Sequence, residues 1–180
     1  DVCSSDLRNQ PVIEQAEQLR NAITDQLKGF GKDQAPLGED IKPVLDNYIA
    51  QIKELDEKDS ELEQIIKSMP MGDLERDLQK LKSKLENVED AKVAAEYKST
   101  IEQIEKQQSS FNSLRNEKDI INLRLNSAVN SLKQMQIDLA RMKSLSASGE
   151  AAQSKLIREK SQELSQYLED LRSGYDELEK

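Results

Sequence analysis

From Asp73 to Ser148 the chain holds neither proline nor glycine, and its apolar residues recur there at alternating steps of four and three. Such steps keep residues on one stripe of an α-helix, because a turn takes 3.6 residues. A strand would alternate apolar and polar side chains with period two and be rich in β-branched residues, which no stretch of this chain does. The spacing therefore sets the class as all-α, without strands. The 3% aromatic content bears on the same point, since a core seamed by Leu and Ile is narrow and has little room for large rings.

Proline and glycine elsewhere mark the helix ends. Pro11 opens a first helix over 11–29, striped by Val12, Ile13, Ala16, Leu19, Ile23 and Leu27 and stopped by Gly29 and Gly31. Phe30 to Glu39, with Pro36 and Gly38, reads as a loop, after which Asp40 caps a second helix over 41–69 with Pro43 in its first turn. Its stripe is Ile41, Leu45, Tyr48, Ile52, Leu55, Asp59, Leu62, Ile66 and Met69, a heptad seam with one polar interruption. Pro70 and Gly72 end it, and Asp73 caps a third helix over 73–88 carrying Leu74, Leu78, Leu81, Leu85 and Val88. The rhythm falters at Asn87–Asp90, where a tight hairpin with Asp90 as N-cap leads into a fourth helix over 91–145. This longest seam is Ile104, Gln107, Phe111, Leu114, Lys118, Ile121, Leu125, Ala128, Leu132, Met135, Leu139 and Met142. Ser144 to Gly149 forms the last turn, with Ser148 as N-cap of a fifth helix over 150–179 striped by Ile157, Ser161, Leu164, Leu168, Leu171, Tyr175 and Leu178.

Short turns between seamed helices favour antiparallel neighbours. The third helix should fold back along the first half of the fourth and the fifth along its second half, giving an elongated antiparallel helical bundle of coiled-coil hairpins. Each fully buried seam residue contributes on the order of 1.5–3 kcal/mol, which offsets chain entropy only where the seams are covered.

The first seven residues, Asp1-Val2-Cys3-Ser4-Ser5-Asp6-Leu7, fit no helical pattern. They read as the in-frame translation of a sequencing-library adapter, a disordered scar to be set aside from fold reasoning. On that reading the sole cysteine, Cys3, is foreign, and the formal charge moves from −9 to −7 as Asp1 and Asp6 drop out. Residues 8–180 then form a single helical coiled-coil domain, expected to be a metagenomic fragment of a longer bacterial protein.

Composition excludes the commonest site chemistries. With no His there is no imidazole base, triad or metal ligand, and one Cys makes neither an internal disulfide nor a thiolate cluster. The glycines of Gly29-Phe30-Gly31-Lys32 end a helix and lack the spacing of a phosphate loop. No loop shows the Asp-x-Asp-x-Asp-Gly order of a calcium site. The acidic balance argues against nucleic acid as a partner. No apolar run is long enough to cross a bilayer, and the first helix, with Arg20 and Lys28 against Glu14, Glu17 and Asp25, lacks the basic face of a membrane-surface helix.

The residues that carry information are therefore polar ones on apolar stripes: Asp59, Gln107, Lys118 and Ser161. A polar group on a seam fixes register or partner choice at a cost in stability, and Asp59 is expected to pair with Lys118. The sequence predicts a non-catalytic structural or interaction module (scaffold, spacer or oligomerisation element). No catalytic, cofactor or metal residues are expected. Its partner would be a protein or a second copy held through the heptad seams, and its location cytoplasmic. A membrane-surface or envelope-associated protein and an accessory helical region of an enzyme are the alternatives.

Overall fold

The structure, a computed structural model, describes residues 11–28, 35–144 and 150–178. Among them are five α-helices and no strand: α1 (Val12–Lys28), α2 (Ala35–Ser68), α3 (Met71–Glu86), α4 (Ala91–Ser144) and α5 (Glu150–Leu178). The all-α helical bundle expected from the spacing is what forms. The adapter-like residues 1–7, the glycines of the α1 stop and the Ser148 cap lie outside the described residues.

Four of the five helices begin and end within two residues of expectation; α2 begins six residues early. Asp40 therefore lies inside α2 and is not its N-cap, and the expected loop through Glu39 is helical from Ala35 on. The reason is that proline does not oppose a helix start. Pro36 falls in the first turn, where an N–H would have no intrahelical acceptor in any case. Pro43 is then interior, without the N–H that would bond the carbonyl four residues back. The expected Asp73 cap is displaced in the same way. The Pro70 carbonyl accepts the amides of Asp73 (3.0 Å) and Leu74 (3.2 Å), so α3 is under way from Met71 and no side chain caps it. Asp73 instead pairs with Arg76 within the first turn. Asp90 does cap α4: its Oδ1 accepts the amides of Lys92 at 2.8 Å and Val93 at 3.1 Å.

The helices gather into two compact units, with α2 and α4 each contributing to both. The first unit takes in α1, α2 up to Lys58, α4 from Ile121 and α5. Its core holds Ile23 of α1, Ile41, Leu45, Tyr48, Ile52 and Leu55 of α2, Ile121, Leu125, Leu132 and Leu139 of α4, and Ile157 of α5. These lie on the four-and-three stripes, so each helix presents one apolar face inward. Two ion pairs, Arg20 with Asp46 and Glu17 with Lys53, run in opposite order along α1 and α2 and make that pair antiparallel.

The second unit is α2 from Asp59, α3 and α4 as far as Ile120. Leu78 of α3 packs with Ile101 and Ile104 of α4, flanked by Leu74, Leu81 and Leu85. The Asn87 amide ends α3 on the Lys84 carbonyl at 3.2 Å, and the short turn from there to Asp90 brings these stripes together.

Candidate functional site

Several of the charged side chains that the fold half-buries pair helix with helix. In the second unit the Lys118 ammonium sits 3.2 Å from the Asp59 carboxylate and 3.9 Å from Glu63, joining α4 to α2. This is the pair expected from the sequence, and both side chains are largely covered. Lys118 is one step along the stripe from Leu114 and Ile121, a position from which a lysine can lay its four-carbon stem along apolar surface while its charge reaches the carboxylates. On the rim of the same unit Lys82 reaches Glu105 at 2.8 Å, joining α3 to α4.

The most covered pair lies in the first unit and was not read from the sequence. Lys160 of α5 reaches Asp138 of α4 at 2.9 Å and Glu163 of its own helix at 2.7 Å, and the side chains of Lys160 and Asp138 are each only 15% exposed. Burial pushes the Asp138 carboxyl up, but hydrogen bonds from Lys160 and Gln134 outweigh it and hold the group below the ordinary aspartate value. Burial likewise pushes Lys160 down, and the hydrogen bonds to Glu163 and Asp138 reverse the effect and hold it above the ordinary lysine value. Both groups thus stay charged. The signal in sequence was faint. Asp138 and Lys160 stand beside the stripe residues Leu139 and Ser161, at the flanking positions where charges select a neighbouring helix.

Tyr48 completes this region. Its ring is buried in the core, its hydroxyl donates to the Ala128 carbonyl at 3.4 Å, and burial pushes its pKa up to about 12. A phenol so raised is a poor acid at neutral pH. Beside Lys160, Asp138 and Glu163, and lined also by Ser131, Gln134 and Tyr167, is a cavity of about 20 Å³. That volume holds about one water and no organic substrate.

The other two expected positions fall differently. Gln107 is exposed, and its neighbour Gln108 is half-buried on the stripe that runs Ile101, Ile104, Gln108, Phe111. The step after Ile104 is four residues rather than three, and with glutamine at both positions the pattern had no apolar residue to decide between them. Ser161 is half-buried on α5, where its carbonyl accepts the Ser165 hydroxyl at 2.9 Å. Of the four positions the fold brings Asp59 and Lys118 together and joins neither of the others to them.

Among the described residues no group of three or more Cys, Asp or Glu side chains is placed to hold a metal ion. Within the same residues no helix is long and apolar enough to cross a membrane. No protein-family model matches the chain, and no match is found for it among curated proteins or solved structures.

Proposed function

We propose that this chain is a non-catalytic helical module that positions or joins other protein parts, a scaffold, spacer or oligomerisation element. One observation carries the reading: three half-buried ion pairs are arranged across helix interfaces. Arg20 and Asp46 join α1 to α2, Lys118 and Asp59 join α4 to α2, and Lys160 and Asp138 join α5 to α4. Charges used in this way choose which helix packs beside which, at little net gain in stability. An active site would instead aim such groups at a space that a substrate can enter, and the cavity beside the most covered pair, Lys160 and Asp138, is only about 20 Å³.

The test is whether Lys160, the least exposed charged group with an acid beside it, does chemistry or only joins helices. The module reading expects Lys160→Met to lower the melting temperature and change nothing else. Screens against ester, phosphoester, peptide and glycoside substrates should show no turnover. A turnover that Lys160→Met abolishes, with the circular dichroism of the variant unchanged, would overturn the reading.

A further inference from the structure

The polar groups around the small cavity between α4 and α5 hold hydrogen-bonding capacity that their protein partners do not use. A lysine ammonium carries three N–H donors. Lys160 gives one to Asp138 Oδ2 at 2.9 Å and one to Glu163 Oε2 at 2.7 Å, which leaves the third. A carboxylate accepts up to about four hydrogen bonds, and Asp138 takes one on each oxygen, from Lys160 and from Gln134. Ser131 gives its proton to the Ser127 carbonyl at 3.1 Å, so towards any further group its oxygen is an acceptor. Lys160, Asp138, Glu163 and Ser131 all border the same cavity of about 20 Å³.

Size and lining together say what fits there. A single water needs roughly 10–15 Å³ and two to four polar partners, and cavities that stay dry are lined by apolar groups. This cavity meets both conditions. Its apolar remainder, Met135 and Leu164, is 4% and 2% exposed and offers no hydrogen bond, so whatever sits inside bonds to the polar side. A metal cation would stand against the Lys160 ammonium, like charge beside like charge, and among the described residues no group of three acidic side chains is placed to hold one.

We propose that this cavity is a binding site for one water molecule, which accepts the third Lys160 N–H and donates to Ser131 Oγ and to one of the two carboxylates. Three hydrogen bonds is the usual number for a water held inside a protein. The water joins α5 to α4 through a residue, Ser131, that the direct ion pair does not reach. Ser131 in turn hydrogen-bonds the Tyr48 hydroxyl, so the polar chain runs on to α2. The water is structural, because the cavity has no room beside it for a second reactant. The site goes beyond the module reading and does not rest on it.

A crystal structure of the full chain, at a resolution that shows ordered solvent, tests the site directly. One peak should lie within hydrogen-bonding distance of Lys160 Nζ and Ser131 Oγ, with no anomalous signal when crystals are soaked in rubidium chloride. Ser131→Val removes the acceptor and adds a methyl group, and should expel the water with helical content unchanged. Urea unfolding reads the same bridge in solution. Ser131 and Lys160 share no direct hydrogen bond, so only a bridge between them can be lost once. The variant carrying both Ser131→Ala and Lys160→Met should therefore have an unfolding constant at least about twofold smaller than the two single effects multiplied together give. No density in the wild-type cavity, an anomalous rubidium peak in it, or strictly multiplicative single effects would overturn the proposal. Each of these leaves the non-catalytic reading standing, and a turnover lost in Lys160→Met would leave the water standing.

Discussion

Asp138 and Lys160 show how a half-buried pair is held charged, and their two shifts give its response to pH. The Asp138 carboxyl is lowered from its ordinary 3.8, so its contribution to stability is complete above that value and fades as pH falls through the lower folded one. Lys160 is raised from 10.5, so its contribution is complete below that value and fades as pH rises through the higher folded one. Between about pH 5 and pH 9 neither titrates. Lys160→Met leaves a covered carboxylate facing a thioether, which should cost about 1–3 kcal/mol in that window, a few degrees of melting temperature for a chain of this size. In the variant burial no longer has the ammonium to oppose it, so the stranded carboxyl takes up its proton more readily as pH falls and the deficit should shrink in acid; a deficit constant down to about pH 2 would assign it to packing alone. Asp59 and Lys118 carry a different expectation, because the ammonium also lies near Glu63. Asp59→Leu should cost less than Lys118→Leu, since the first leaves the ammonium a carboxylate. Replacing both by Leu should raise the melting temperature, because a packed apolar pair needs no desolvation. Urea denaturation of the three variants ranks them directly.

At the scale of elements, the stripes were the legible part, and the ends were legible only where a side chain does the capping. Leu74, Leu78, Leu81 and Leu85 were readable as one face because nothing but burial asks for leucine every third or fourth residue. Asp90 was readable as a cap because its carboxylate takes the two amides that no carbonyl can reach. Asp40 and Asp73 were read by the same rule and are not caps, since the choice among several acceptable starts depends on what the first turn packs against, which spacing does not encode. Asp138 and Lys160 went unread for a related reason: a charge flanking a stripe acquires a partner only once the neighbouring helix and its register are known. Pro43 is a direct probe of where α2 begins. It lies interior to a helix that starts at Ala35, so Pro43→Ala restores a backbone N–H within the ladder and should stabilise the fold by about 1–3 kcal/mol. Were Pro43 in the first turn of a helix starting at Ile41, the same change would be neutral or slightly destabilising through the freer unfolded chain. Thermal unfolding of the single variant distinguishes the two starts by sign.

At the scale of the whole molecule, burial divides unevenly between the two units. Every described side chain with less than 2% exposure belongs to the first. The best covered apolar groups of the second are Leu62 at 6%, Ile101 at 7%, Leu78 at 8%, and Ile104 and Phe111 at 9%. Apolar area removed from water is the main favourable term, at about 25 cal/mol per Å², and each residue loses similar backbone entropy wherever it sits. The second unit therefore holds its helices with less in reserve, and its backbone amides should open at a lower free energy than those of the first. Native-state hydrogen exchange should show α3 and the Ala91–Phe111 stretch of α4 exchanging before Ile121–Met142 and the buried turns of α2 around Tyr48. Leu78→Ala truncates the best covered leucine of α3 and should cost about 2–4 kcal/mol. It should accelerate exchange across α3 and the start of α4 while leaving α1 and the second half of α4 at wild-type rates. If the variant instead speeds all five helices equally, the two units unfold as one cooperative body, and the continuous backbone of α2 and α4 couples them more strongly than the uneven burial separates them.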